Sequence, residues 1–143
     1  MKLALDEAKK SVYREGAFCV GAVIVSSTGE VLSTGYSREL PAGEEGELHA
    51  EHCALVKLKD TTLLKDASMY TTMEPCSVRT SGKRPCVSRI MEAQIKKVYV
   101  GVLEPSDFVV CEGTQELRSS GVEVIAVPGL EQECLNVARG RST

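Results

Sequence analysis

His49, Glu51, Cys76 and Cys86 are the residues of this sequence whose types and spacing point to chemistry. His49-Ala50-Glu51 lies mid-chain, Glu74-Pro75-Cys76 follows, and Arg84-Pro85-Cys86 comes after a further stretch. One imidazole and two thiolates form a three-ligand set suited to zinc, which in catalytic sites keeps a fourth position for water. A metal held this way makes water a usable nucleophile near neutral pH. Glu51 is then a carboxylate placed to carry that water's proton, a role typically worth about 10²–10⁴-fold in rate.

The elements around these residues must bring them together. Two positions along a helix correspond to a rotation of about 200°, so His49 and Glu51 share a cavity only if a helix starts at or just before His49. The sequence agrees with such a start. Ser37 to Glu47 is a polar loop with Pro41, Gly43 and Gly46, and a helix is predicted from about His49 to Lys59. Pro85 suits the first turn of a second helix running to about Gln94. Both His49 and Cys86 then sit at positive helix ends, which favour the thiolate a metal needs.

Around this pair the pattern is regular. Met1, Leu5, Ala8 and Val12 recur at helical spacing, predicting a helix through about Tyr13 that ends at Gly16. Cys19–Val25 reads as a buried strand, Ser27-Thr28-Gly29-Glu30 as a turn, and Val31–Tyr36 as the returning strand of a hairpin. Thr61 to Lys65 connects to a strand over Ser68–Thr72, and Lys97–Val102 is a fourth strand. A helix over Gly113–Ser120, a fifth strand over Val122–Val127 and a last helix opened by Pro128 and running to Ala138 complete the chain. A hairpin followed by alternating strands and helices implies an α/β fold: three α/β/α layers around a mixed five-stranded sheet, in one domain spanning 1–143.

Bulk composition narrows the function. A net charge of −3 and only 4% aromatic residues, with no tryptophan, disfavour a nucleic-acid partner. No apolar run reaches the length of a membrane span. The early acids Asp6 and Glu7 do not fit a signal peptide, so a cytoplasmic location with reduced cysteines is expected.

Blander readings apply to several residues. Cys19, Cys53, Cys111 and Cys134 read as small buried hydrophobes, and His52 as a neighbour or surface residue. Adding Cys53 to His49, Cys76 and Cys86 would close a structural zinc site and make the protein a zinc-stabilised binding module. Nine residues separate Cys76 from Cys86, and this insert carries Arg79, Ser81, Lys83 and Arg84 but no acid. It is either a solvated loop or a receptor for a phosphate on a small substrate. Arg38 is a further candidate for phosphate.

The arrangement of His49, Glu51, Cys76 and Cys86 follows the H-x-E…P-C…C layout of nucleobase deaminases. Together with Gly35-Tyr36-Ser37-Arg38-Glu39, Tyr70-Thr71-Thr72-Met73-Glu74-Pro75-Cys76-Ser77, Val100-Gly101-Val102-Leu103-Glu104-Pro105 and Pro128-Gly129-Leu130-Glu131-Gln132-Glu133-Cys134, it resembles the riboflavin-pathway pyrimidine deaminases of the cytidine-deaminase-like superfamily. The deaminase domain of the fungal enzymes is the most similar group. The resemblance implies one Zn²⁺ per subunit at His49, Cys76 and Cys86, Glu51 as proton shuttle, and backbone N–H groups around Ala50 and Cys76 holding the tetrahedral intermediate. It implies hydrolytic deamination of 2,5-diamino-6-(ribitylamino)-4(3H)-pyrimidinone 5′-phosphate in riboflavin biosynthesis, and a homo-oligomer, with a dimer as the expectation. The ribosylamino form, a free base or nucleoside, and tRNA adenosine are the alternative substrates. Where bacterial relatives carry Asn-Pro before Val-Gly, this chain has Ala17-Phe18. It has no room for the reductase or pseudouridine-synthase-like domains fused in relatives, so it is expected to act alone or as an excised domain.

Overall fold

The structure, a computed structural model, describes residues 1–42, 47–76, 85–103 and 112–141. Among these, five strands, β1 (Gly21–Val25), β2 (Val31–Tyr36), β3 (Ser68–Met73), β4 (Lys97–Val102) and β5 (Glu123–Ala126), form one mixed sheet in the order β2-β1-β3-β4-β5. β1 pairs antiparallel with both β2 and β3, whereas β3–β4 and β4–β5 are parallel. The helices are α1 (Lys2–Ala8), α2 (Ala50–Lys57), α3 (Cys86–Glu92), α4 (Gly113–Ser119) and α5 (Glu131–Ala138), with a 3₁₀ turn over Thr61–Leu64.

Strand alternation divides the side chains between two cores. Ala22, Ile24, Met69, Val98, Val100 and Val124 face a core shared with Ala50 and Ala54 of α2, Val87 and Ile90 of α3, and Leu117 of α4. Leu5 and Ala8 of α1 meet Cys134 and Val137 of α5 in a second cluster on the opposite face. Two helical layers thus sandwich the sheet, as the sequence predicts, and the inner strands β1, β3 and β4 are the most buried. Gly35 allows β2 to lie directly against α2, since a Cβ there would stand 2.3 Å from the Ala50 carbonyl oxygen.

The hairpin, the parallel crossovers and the five strands fall where the sequence places them, apart from one or two residues at their ends. Two helices differ more. α1 stops at Ala8 rather than near Tyr13, and the residues after it are fixed by distant partners: Ser11 Oγ donates to the Ser37 carbonyl and the Val12 carbonyl accepts from Arg38. α5 begins at Glu131 and not at Pro128; Gly129 has φ +92° and its N–H donates to Glu131 Oε2, so Pro128 belongs to a turn before the helix. Gly43 and Gly46, the insert residues Arg79, Ser81, Lys83 and Arg84, and Cys111 lie outside the described residues.

Candidate active site

The site forms at the carboxyl end of β3, where open α/β sheets commonly bind ligands. β3 leads into Glu74-Pro75-Cys76, and the N-termini of α2 and α3 converge on the same end. His49 is the N-cap of α2, in extended conformation with φ −75° and ψ 164°, and Glu51 is in the first turn. This answers the rotation problem posed by their spacing: His49 lies outside the helix, so its imidazole and the Glu51 carboxylate reach one place.

His49 Nδ1 lies 3.5 Å from Cys76 Sγ and 3.4 Å from Cys86 Sγ. Three donors arranged tetrahedrally at ordinary Zn–N and Zn–S lengths would put nitrogen and sulfur about 3.6 Å apart. The side chains therefore fit zinc. Among the described residues, these three are the group of His, Cys, Asp and Glu side chains spaced for a metal, with ligand atoms all within 4.8 Å of one another. Cys53 is not part of it. It is buried on α2 facing β2, where its Cβ would come within 3.1 Å of a Cβ on Gly35. His52 is buried rather than at the surface, and it too lies outside the metal group. Cys19, Cys53, Cys76, Cys86 and Cys134 are free thiols and all buried.

The two sulfurs are unlike. The Cys86 N–H donates to Cys76 Sγ at 3.2 Å. A hydrogen bond from the Cys86 thiol, helped by His49 and by this amide, pulls Cys76 down to about 4 despite burial. The same sulfur–sulfur bond, together with burial and the nearby Glu51 charge, pushes Cys86 well above the usual thiol range. Glu51 is 3% exposed, and this burial raises its carboxyl above the ordinary value, opposed by the His49 charge and by Thr71. Thr71 Oγ1 lies 2.9 Å from Glu51 Oε1.

Ala50 is the first residue of α2 and Cys76 lies three residues beyond the end of β3, so both candidate backbone donors stand at this end. Arg38 is placed differently from a side chain reaching into solvent for phosphate. Its guanidinium donates to the carbonyls of Phe18 and Val12 and to Ser11 Oγ. Two residues of the site have no role in the sequence reading. Thr71 is fully buried between Met69 and Met73 on the inward face of β3, and a polar residue at an apolar-phase position is the signal that would find it. Glu74 is buried and accepts from the Thr114 N–H at 2.9 Å, which joins α4 to the Cys76 loop. No local pattern announces that contact.

The family model for the cytidine and deoxycytidylate deaminase zinc-binding region matches residues 1–102. The chain is 48% identical over 141 residues to the diaminohydroxyphosphoribosylamino-pyrimidine deaminase of Schizosaccharomyces pombe, covering 96% of this chain and 34% of that protein. It thus spans about a third of that relative's length. It is 34% identical to the cytosine deaminase of Candida albicans, covering 96% of this chain and 83% of that protein. Among solved structures, a C-terminal deletion mutant of Aspergillus oryzae Rib2 deaminase at pH 4.6 matches with a TM-score of 0.86 and 36% identity, covering 97% of this chain and 88% of that one. The same deletion mutant in complex with DARIPP matches at a TM-score of 0.82 and 34% identity, covering 97% and 87%.

Proposed function

The chain belongs to the cytidine and deoxycytidylate deaminase zinc-binding family, and from that premise we propose that it is a hydrolytic deaminase of a phosphorylated diaminopyrimidine of riboflavin synthesis. The observation that carries the reaction type is the zinc-fitting spacing of His49, Cys76 and Cys86 beside the buried carboxylate of Glu51. The similarity to the Schizosaccharomyces pombe enzyme supports the substrate class.

In this reading His49 and the two cysteines hold one zinc ion per subunit, which supplies Lewis acidity that makes water nucleophilic near neutral pH. Glu51, kept in place by Thr71, accepts a proton from the attacking water and delivers it to the departing nitrogen. A C–O bond forms at the ring carbon, the exocyclic C–N bond breaks, and ammonia leaves. First-turn N–H groups at Ala50 and the backbone at Cys76 hold the developing charge on the ring. Burial of Glu51 keeps its proton affinity closer to the working pH than a surface carboxylate's, which suits a group that must both take and give a proton.

Recognition of the phosphate falls to the basic insert residues Arg79, Ser81, Lys83 and Arg84. We take the ribitylamino compound, 2,5-diamino-6-(ribitylamino)-4(3H)-pyrimidinone 5′-phosphate, as the substrate; the DARIPP complex of the Aspergillus oryzae enzyme concerns that protein and frames the test. Zinc-loaded protein is incubated separately with the ribitylamino and ribosylamino phosphates, and ammonia is followed. Release from the ribitylamino form supports the full reading, and release only from the ribosylamino form corrects the sugar. Silence on both, with zinc bound and the fold intact, rejects it. A second reading, deamination of a free base, is favoured by the Candida albicans cytosine deaminase, most of whose length is matched; ammonia from cytosine alone would establish it. Homodimerisation, measurable by light scattering, and a cytoplasmic location go with the leading reading. Among the described residues no helix is long and apolar enough to cross a membrane.

A further inference from the structure

We propose that Arg38 is a positioning residue that sets the orientation of His49 by clamping the segment between α1 and β1 to the peptide preceding the imidazole. The inference rests on the assignment of His49 as a zinc ligand.

Three observations converge on Arg38. Its backbone has φ +62°, a left-handed conformation uncommon for a residue with a side chain and most often retained where the surroundings demand it. Its N–H donates to the Leu48 carbonyl oxygen at 2.9 Å. Its guanidinium reaches the other way: Nη2 donates to Ser11 Oγ at 3.1 Å and to the Val12 carbonyl at 3.0 Å, and Nη1 to the Phe18 carbonyl at 3.3 Å. Ser37 reinforces the same junction, its Oγ accepting from Val20 N–H and its carbonyl from Ser11 Oγ, each at 2.8 Å.

The geometry matters because His49 is an N-cap. Its ψ of 164° places it outside the helix, so intrahelical bonds fix only its C-terminal side, through the Cys53 N–H donating to the His49 carbonyl at 3.0 Å. On its N-terminal side the plane of the Leu48–His49 peptide decides where the imidazole points. The oxygen of that peptide is the one bonded to Arg38 N–H. Arg38 can hold it steady only if Arg38 itself is anchored, and the planar guanidinium is suited to three acceptors at fixed angles where a lysine ammonium is not. Groups that orient a metal ligand from behind typically change metal affinity by about 10–100-fold when removed.

The variant to test is Arg38→Asn, since asparagine tolerates the left-handed backbone yet is too short to span to Phe18; Arg38→Gly serves if it does not fold. Zinc-loaded protein is mixed with excess chelator to measure zinc release, and amide exchange is followed at Val20 and Cys53. We expect release about tenfold faster, faster exchange at both amides, and recovery of both readouts on adding free guanidinium. Arg14→Met, which removes the exposed Arg14–Glu47 pair, is expected to match wild type. Faster exchange at Val20 with Cys53 and zinc release unchanged would overturn the proposal, leaving Arg38 as a fastener of the 11–20 segment only. If wild-type protein takes up no zinc, the ligand assignment falls, and exchange at Cys53 still decides whether Arg38 steadies His49.

Discussion

Thr71 Oγ1 lies 2.9 Å from Glu51 Oε1 and 2.8 Å from the Met73 carbonyl oxygen, so one hydroxyl proton faces two acceptors in a fully buried place. While Glu51 is ionised the proton belongs on the carboxylate, the stronger acceptor; when Glu51 carries a proton it can donate to Thr71 and release the hydroxyl to Met73. The hydroxyl therefore has a partner in either state of Glu51. Thr71→Val keeps the shape and removes this bond. A hydrogen bond to a charged group is worth about 1.5–3 kcal/mol, so kcat should fall roughly 10–100-fold, with KM and zinc content held and with recovery in Thr71→Ser. Equal kcat in the valine variant would show that Glu51 needs no such support.

Glu51→Gln separates activity from stability. Turnover should drop by about 10²–10⁴-fold while zinc remains bound. Burial raises the folded-state pKa of Glu51 above its ordinary value, so the folded protein binds this proton more tightly than the unfolded chain. Stability tied to the protonated carboxyl is complete below the ordinary carboxylate range and is lost as pH rises through the folded-state pKa. Glutamine removes that loss. In metal-free protein the variant should melt higher than wild type at pH 7, with the gap closing in thermal scans as pH falls into the ordinary carboxylate range. A constant gap would contradict the burial cost.

Zinc uptake should release one proton, not two, from the thiol pair. Cys76, drawn down to about 4, is already a thiolate at neutral pH, whereas Cys86 is held as a thiol by its bond to Cys76 and by burial. Both must be thiolates around zinc. Calorimetry at pH 8, where an imidazole is ordinarily neutral, in two buffers of different ionisation heat counts the protons. Because water on the zinc can ionise as well, the thiolate ultraviolet absorbance of the metal-free protein assigns the count: one thiolate before zinc is expected, and none or two would mean that the sulfurs do not share a proton. Cys86→Ser should lose stoichiometric zinc in the same experiment.

Gly113→Ala tests the seat of Cys76. A Cβ on Gly113 would stand 1.9 Å from the Pro75 carbonyl oxygen and 3.3 Å from Val87 Cγ2, so either the start of α4 or the Pro75–Cys76 peptide must move. Overpacking of this kind costs about 1–3 kcal/mol. Thermal melts should show lower stability, and zinc per chain should fall if the peptide is what yields. Unchanged zinc with lower stability would assign the movement to α4.

The residues of the metal group and the alternation of strands and helices are determined by the sequence itself, because the signals involved are local. Pro85 starts a helix by fixing its own backbone angle, the hairpin turn is written in Ser27-Thr28-Gly29-Glu30, and the inward faces of β1 and β3 follow from alternating side chains. The presence of His49 at a helix start follows from the glycines and acids before it. Which groups support those residues is decided only by tertiary structure. The segment after α1 is tied down by Ser37 and Arg38, far along the chain, which bond the Ser11 hydroxyl and the Val12 carbonyl. Thr71 meets Glu51 only when β3 lies beneath α2, and Glu74 meets Thr114 only when α4 packs on the Cys76 loop. These contacts join residues 20 to 40 positions apart, and no local propensity encodes a partner at that distance; the packed sheet brings each pair within reach.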